Sequence, residues 1–216
     1  MRNKFDLQLD HMNEQLIQMG ELCVKAITTA TRALRDGDVS LAKQVIGEDE
    51  EIDQMEKEIE RLCLKLLLQQ QPVAKDLRLV SAALKMITDM ERIGDQAADI
   101  AEIIISAKMT EVNDIHQIVD MAKETSKMVR DSVAAFVNKD LELTRTVILS
   151  DDLVDQLFDD VKRELIMFIA AAGSQGEKAI DLIMITKYLE RIGDHATNIA
   201  EWVEFSITGV HKGEKE

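Results

Sequence analysis

One thirteen-residue pattern occurs twice in this chain of 216 residues. Residues 90–102 read MERIGDQAADIAE and residues 189–201 read LERIGDHATNIAE, so the two copies lie 99 residues apart. Upstream of each copy, the stretch that begins at Asp38 is repeated from Asp140, at an offset of 102 residues. Self-similarity at a fixed spacing is typical of a duplicated structural unit. The chain is therefore predicted to contain two copies of one unit, with a joint three residues shorter in the second copy.

The residue types favour helices over strands. Proline occurs once, glycine nine times, and aromatic residues make up 3% of the chain. The remaining sequence is dominated by residue types with high helix propensity. Apolar residues recur at intervals of three and four and are interrupted by turn residues, which predicts six helices. Their approximate bounds are 5–35, 41–70, 74–108, 114–137, 141–172 and 177–207.

Each repeat is predicted to be a three-helix bundle, the first over residues 1–109 and the second over residues 110–209. The fold class is all-α: two tandem three-helix bundles related by internal duplication. Helices of about 30 residues are about 45 Å long, so the bundles are elongated and can pack side by side. The third helix has a broad apolar face that is expected to point inward, formed by Leu77, Val80, Leu84, Ile87, Ile93, Ala97, Ile100 and Ile104.

The charge balance limits the possible partners. The chain carries 41 acidic and 26 basic residues, a net charge of −15. Such a surface repels phosphate backbones and anionic headgroups, so nucleic-acid binding is not expected. Cations and basic protein surfaces are the favoured partners. Because no segment has the apolar length of a signal peptide or a membrane span, a cytoplasmic location is expected, with membranes contacted only through partners.

The two cysteines, Cys23 and Cys63, fall among apolar helical positions and form no CxxC pair. They are expected to be buried thiols, because two isolated cysteines make neither a disulfide framework nor a zinc site.

Acidic residues form a row along one edge of the third helix: Glu91, Asp95, Asp99 and Glu102. At about 100° per residue they fall within about 80° of one another, beside the apolar face and therefore at a seam between helices. Arg92 is expected to point away from this row. Like charges at i,i+4 cost a helix a few tenths of a kcal/mol each, which argues for a compensating cation.

Related rows occur on three other helices. The sixth helix repeats the third, with an amide in place of one acid, as Glu190, Asp194, Asn198 and Glu201. The second helix carries Asp49, Asp53, Glu56 and Glu60. The fifth keeps Asp151 and Asp155 but has Phe158 and Lys162 at the next two positions. A second site is therefore expected to be less negative than the first.

Two such rows on neighbouring helices supply the oxygen ligands that hard cations prefer. Iron, manganese, zinc, magnesium and calcium all fit, and a solvated acidic face without a metal is the alternative. Gly94 and Gly193 occupy the same mid-helix place in each repeat, where glycine costs about 0.5–1 kcal/mol relative to alanine. Close helix packing is favoured as the reason, with room for an ion as the alternative.

The doubled Glu-Arg-Ile-Gly-Asp signature, followed in its second copy by His-Ala-Thr-Asn-Ile-Ala-Glu, resembles the PhoU family of phosphate-transport regulators. The resemblance covers nearly the whole chain. It implies two three-helix bundles, a homodimer, and multinuclear metal clusters of iron, zinc, manganese or magnesium. The residues that match the family's metal motif are Asp49, Asp53, Glu91, Asp95 and Asp99 in the first half and Asp151, Asp155, Glu190, Asp194 and Asn198 in the second. His195 adjoins the second site but is expected to point away from its carboxylate row.

The same resemblance implies a negative regulator of phosphate uptake and of the phosphate-starvation response. It would act as an adaptor between the ATPase subunit of a phosphate ABC transporter and a sensor histidine kinase, without being an enzyme. A carboxylate-bridged metalloenzyme is one alternative, but ferritin-type sites need Glu-x-x-His pairs, which this sequence lacks. A metal-free helical scaffold is the other. No nucleophile and base set and no glycine-rich phosphate loop is visible in the sequence.

Overall fold

The computed structural model describes residues 2–69, 73–110, 116–172 and 176–210, nearly all of which are helical. The helices are α1 (Arg2–Asp36), α2 (Val39–Gln69), α3 (Ala74–Ser106), α4 (His116–Asn138), α5 (Leu141–Ala172) and α6 (Gly176–Thr208). The six-helix prediction is confirmed. The predicted end of the second helix at residue 70 and the predicted start of the fourth helix at residue 114 lie outside the described residues.

The first turn of each repeat has the same local construction. Gly37 follows α1 with a φ of 63°, in the left-handed region that glycine enters without strain. The side chain of Asp38 then caps α2 by accepting a hydrogen bond from the backbone N–H of Ser40 at 2.8 Å. Asp140 caps α5 in the same way, accepting from the N–H of Leu143 at 2.9 Å. These caps position the start of the helix that carries the acidic row.

The two bundles pack side by side through equivalent helices. Within the repeats, α1 packs on α2 and α3, and α4 packs on α5 and α6. Between the repeats, α3 lies along α6 and α1 lies along α4. Because each helix at this interface meets its own duplicate, the bundles are related by a pseudo-two-fold axis. Buried side chains from both repeats merge into one continuous core.

The core follows the apolar stripes with one clear exception. Cys23 and Cys63 are free, buried thiols, as expected, and burial raises the pKa of each to about 12. Leu77 was predicted to face inward, but the structure leaves it 48% exposed. It lies in the first turn of α3, at the end of the bundle, where fewer neighbouring side chains are available to cover it.

The ends of the two bundles differ because α1 has 35 residues and the described α4 has only 23. The first half of α1 covers the α2/α3 hairpin: the Sδ of Met12 lies 3.6 Å from the Sγ of Cys63, and Leu66 is fully buried. In the second repeat α4 begins at His116, and Phe168, the duplicate of Leu66, is 41% exposed. Within the described residues, the end of the second hairpin is therefore less covered than the end of the first.

In the part of the chain that the structure describes, no helix combines the length and apolarity needed to cross a membrane.

Candidate functional site

Six carboxylates meet at the seam between α2 and α3. We call them the first cluster: Asp49, Asp53 and Glu56 from α2 with Glu91, Asp95 and Asp99 from α3. Each helix places acids at intervals of three and four residues, so its carboxylates follow one edge. Antiparallel packing of α2 on α3 brings the two edges together.

Asp49 is the most perturbed acid of the first cluster. Burial, together with the charges of Asp95, Asp53 and Asp99, raises its pKa to about 6. Its Oδ1 is buried and has no hydrogen-bond partner. Because an unpaired carboxylate surrounded by other acids is unfavourable, this site favours either a bound proton or a bound cation.

Gly94 explains how Asp49 fits against α3. A Cβ at this position would lie 2.6 Å from the Oδ1 of Asp49 and 2.9 Å from the Cδ1 of Ile52. Glycine therefore lets α2 approach α3 closely, which supports the packing interpretation of this residue. The same absence of a side chain creates the space that the Asp49 carboxylate occupies.

The remaining first-cluster acids are partly balanced by exposed cations. Burial raises the pKa of Glu91, and the carboxylate of Asp95 raises it further. The expectation that Arg92 points away from the row is wrong: its Nη1 lies 2.9 Å from the Oδ2 of Asp95 and its Nε lies 3.5 Å from Glu91. The Nζ of Lys57 lies 3.8 Å from Asp53. Both cations contact the rim of the cluster, and neither is paired with the Oδ1 of Asp49.

The second cluster lies at the equivalent seam between α5 and α6 and consists of Asp151, Asp155, Glu190 and Asp194. Burial raises the pKa of Asp151, Asp155 and Asp194, and neighbouring carboxylates add to each shift. Lys187 enters this cluster from one turn earlier on α6. Its Nζ lies 2.5 Å from each carboxylate oxygen of Glu190. Its positive charge lowers the pKa of Asp155 and Asp194 and so offsets part of the rise that burial causes.

Two residues that adjoin the second cluster make polar contacts with the other bundle. His195 turns away from the carboxylate row, as expected, and its Nδ1 lies 2.8 Å from the Oδ1 of Asp89 on α3. The Nδ2 of Asn198 donates to the same oxygen at 3.3 Å. On the other side of the pseudo-two-fold axis, Tyr188 bonds to Asp99. These contacts hold α3 against α6.

The structure brings nine of the ten predicted site residues into the two clusters. Asn198 is the exception: its amide nitrogen donates to Asp89 across the α3/α6 interface, and its amide oxygen is the atom that a metal would bind. Its role as a ligand stays a prediction. Sequence reasoning missed Lys187 and Asp89. A signal for Lys187 was present: it stands three residues before Glu190, where the first repeat has Thr88.

The donor set fits a hard metal ion. Carboxylate oxygens are the ligands that such cations prefer, and Asp49 offers one oxygen that no protein group satisfies. As the side chains lie, no three His, Cys, Asp or Glu residues within the described ranges form a group that could hold a metal. Binding an ion at the first cluster therefore requires its carboxylates to rotate toward a common point.

The fold and its two acidic seams define a class of all-helical proteins built from a duplicated three-helix bundle. The chain belongs to the PhoU family, because the family model described as "PhoU domain" matches residues 16–104 and 118–203. The two matches correspond to the two bundles.

Individual relatives support this membership. The chain is 36% identical to the phosphate-specific transport system accessory protein PhoU homolog of Clostridium acetobutylicum, over 96% of both chains. It is 38% identical to the homolog of Aquifex aeolicus, over 85% of this chain and 84% of that one. Both names describe accessory proteins of phosphate transport. The family is accordingly one of regulatory accessory proteins and not of enzymes.

Solved structures confirm the fold. The crystal structure of PhoU from Pseudomonas aeruginosa matches with a TM-score of 0.87 and 34% identity, over 95% of this chain and 100% of that one. The phosphate transport system regulatory protein PhoU from Streptococcus pneumoniae matches with the same TM-score and 28% identity, over 95% of this chain and 98% of that one.

Proposed function

We propose that this protein is a negative regulator of phosphate uptake and of the phosphate-starvation response, acting as a metal-binding adaptor. In this proposal it works in the cytoplasm as a homodimer. Its partners are the ATPase subunit of a phosphate ABC transporter and a sensor histidine kinase. The observation that carries the proposal is the first cluster, with its unsatisfied Asp49 oxygen, in a chain related to phosphate-transport accessory proteins.

The first cluster supports metal binding on electrostatic grounds. Its proposed ligands are Asp49, Asp53, Glu91, Asp95 and Asp99, and the proposed second set is Asp151, Asp155, Glu190, Asp194 and Asn198. A multinuclear centre of iron, zinc, manganese or magnesium would supply positive charge at the seam. The protein's own contribution is to hold two helices so that their acids face one another. A bound cation would then tie α2 to α3.

Support for the proposed adaptor role comes from the body of the protein rather than from a reacting group. A helical body with one continuous core presents a defined surface to its partners. If that surface binds one conformation of a transporter or a kinase more tightly than another, it shifts the population of that partner. The net charge of −15 suits docking on basic protein surfaces.

Metal binding is tested by replacing two first-cluster acids that face each other. The double variant Asp49→Asn, Asp95→Asn should lose most of the metal that the wild-type protein retains after purification without chelator. Elemental analysis measures the metal, and circular dichroism should show unchanged helix content. The matched control changes two α2 acids outside the first cluster, Glu50→Gln and Glu51→Gln. Equal metal content in the site variant and the control would remove the metal from the proposal.

Regulation is tested in cells. When phosphate is abundant, a deletion strain should take up more phosphate than the wild-type strain. The wild-type gene should restore repression of phosphate uptake. The Asp49→Asn, Asp95→Asn gene should restore it poorly, whereas the Glu50→Gln, Glu51→Gln gene should restore it fully. Normal phosphate accumulation in the deletion strain would contradict the regulatory role.

A further inference from the structure

We infer that Lys187 is a built-in cation of the second cluster, so that divalent metal binds at the first cluster and is excluded from the second. This inference rests on the metal-binding role proposed above for the first cluster. For the second cluster it puts Lys187 in place of the metal that the second set of ligands was proposed to hold. Three observations in the second repeat carry it: two contacts of Lys187 and one substitution.

The first contact is the ion pair itself. The Nζ of Lys187 lies 2.5 Å from both oxygens of Glu190, which is only 13% exposed and is one of the four acids of the second cluster. An ammonium group here already neutralises part of the charge that would attract a metal. A divalent ion would have to displace it or bind beside it, against its charge.

The second contact fixes the ammonium group in place. Lys187 lies over the ring of Phe158, with its Nζ 5.3 Å from the ring centroid. An ammonium over an aromatic face is held by attraction to the ring electrons. The first repeat has neither part of this arrangement, because the residues equivalent to Lys187 and Phe158 are Thr88 and Glu56. The second repeat therefore has an aromatic ring that contacts a cation where the first repeat has the carboxylate of Glu56.

The third observation is the loss of one carboxylate. Asn198, a neutral amide, stands where the first cluster has Asp99, and its Nδ2 donates to Asp89 in the other bundle. His195 contacts the same Asp89 oxygen. The second cluster is left with four carboxylates and one lysine, whereas the first has six carboxylates whose two contacting cations lie at its rim.

The contrast with Arg92 shows why the first cluster remains open to a metal. The Arg92 side chain is 56% exposed and contacts Glu91 and Asp95. The Oδ1 of Asp49 is buried and has no hydrogen-bond partner, whereas the Oε2 of Glu190, which also accepts no hydrogen bond, lies 2.5 Å from the Nζ of Lys187. Asp151, the duplicate of Asp49, lies farther from its glycine: a Cβ on Gly193 would be 3.7 Å from its Oδ1.

The experiment uses Mn²⁺ as the probe, because anomalous X-ray scattering locates it directly. Crystals of the full chain grown with Mn²⁺ should show anomalous peaks at the first cluster only. The variant Lys187→Thr, which places the first repeat's residue in the second, should add a peak at the second cluster. Titration calorimetry in solution should show a second class of Mn²⁺ site in this variant.

A matched control separates this effect from a general change in charge. Lys162 also lies over the Phe158 ring, at 5.9 Å, and Lys162→Thr removes the same charge. This control should keep the wild-type pattern of one occupied cluster. The reverse exchange in the first repeat, Thr88→Lys with Glu56→Phe, should weaken Mn²⁺ binding there at least tenfold, and it provides a second test if Lys187→Thr does not fold.

The outcomes distinguish this inference from the proposed function. Equal Mn²⁺ peaks at both clusters of the wild-type protein would overturn the inference and leave the metal-binding role standing. An unoccupied second cluster in a folded Lys187→Thr variant would also overturn it. Absence of Mn²⁺ from both clusters of the wild-type protein would overturn the metal-binding role and the inference with it.

Discussion

The two acidic seams occupy equivalent places in a duplicated fold, yet they differ in charge. The first combines six carboxylates with two cations at its rim, and the second combines four carboxylates with Lys187 seated on Phe158. Both seams keep a mid-helix glycine, but only at Gly94 does the close packing of the helices leave no room for a Cβ. The difference shows that residues that pack the helices and residues that could bind a metal changed independently after the duplication.

The ends of the two hairpins differ in a second way. In the first repeat the early turns of α1 cover α2 and α3, and in the second the described α4 starts too late to do so. The same duplicated position is therefore a core residue in one bundle and a surface residue in the other. This difference produces the largest expected effect of the three changes below.

Truncating the duplicated pair Leu66 and Phe168 should have unequal effects. Leu66→Ala removes a fully buried side chain and should lower the free energy of unfolding by about 2–5 kcal/mol. Phe168→Ala should lower it by less than about 1 kcal/mol, because that ring is 41% exposed. Urea unfolding followed by circular dichroism measures both values. Similar losses would show that the second hairpin is covered as fully as the first.

Replacing each of the two glycines with alanine tests how tightly the helices pack at the two seams. At Gly94 the new Cβ would displace Asp49 and Ile52, and overpacking of about 1–3 kcal/mol outweighs a helix-propensity gain of about 1 kcal/mol. Gly94→Ala should therefore destabilise the protein by about 1 kcal/mol. Gly193→Ala should be nearly neutral, because its closest contact is the Cγ1 of Val154 at 3.2 Å. Thermal unfolding of both variants tests this, and a stabilised Gly94→Ala protein would contradict it.

The smallest expected effect is on how stability depends on pH, measured on protein from which metal has been removed with a chelator. Burial and neighbouring acids raise the pKa of Asp49 to about 6 in the folded state, above the value of about 4 expected in the unfolded chain. Between these values the folded state holds more protons, so stability should fall as pH rises from about 4 to about 6. Asp49→Asn should flatten this decline and raise the melting temperature at pH 7.

Asp151→Asn is the matched variant in the second repeat. Burial also raises the pKa of Asp151, but without a shift as large as that of Asp49, so the change in pH dependence should be smaller. Melting temperatures at pH 4.5 and pH 7 measure both. An Asp49→Asn protein with the wild-type decline would show that this carboxyl is ionised in the folded state throughout.

Much of the architecture was predictable because it depends on local periodicity. Apolar spacing located six helices, and the 99-residue repeat located two bundles. The spacing of Asp49 with Asp53 and of Glu91 with Asp95 placed acids on helix edges beside apolar faces. The orientation of long side chains was not predictable in the same way. Arg92 and Lys187 each reach an acid on their own helix through a choice of rotamer, and that choice depends on neighbouring residues.

The sequence by itself determined the duplication, the all-helical fold and the acidic rows, because these follow from residue periodicity along single helices. Only the tertiary structure decided which acids face one another, and that Asn198 and His195 meet Asp89 across the bundles. It also decided that Leu66 is covered and Phe168 is not. The physical reason is that burial and electrostatic pairing depend on distances between helices, and those distances are set by packing of the whole chain.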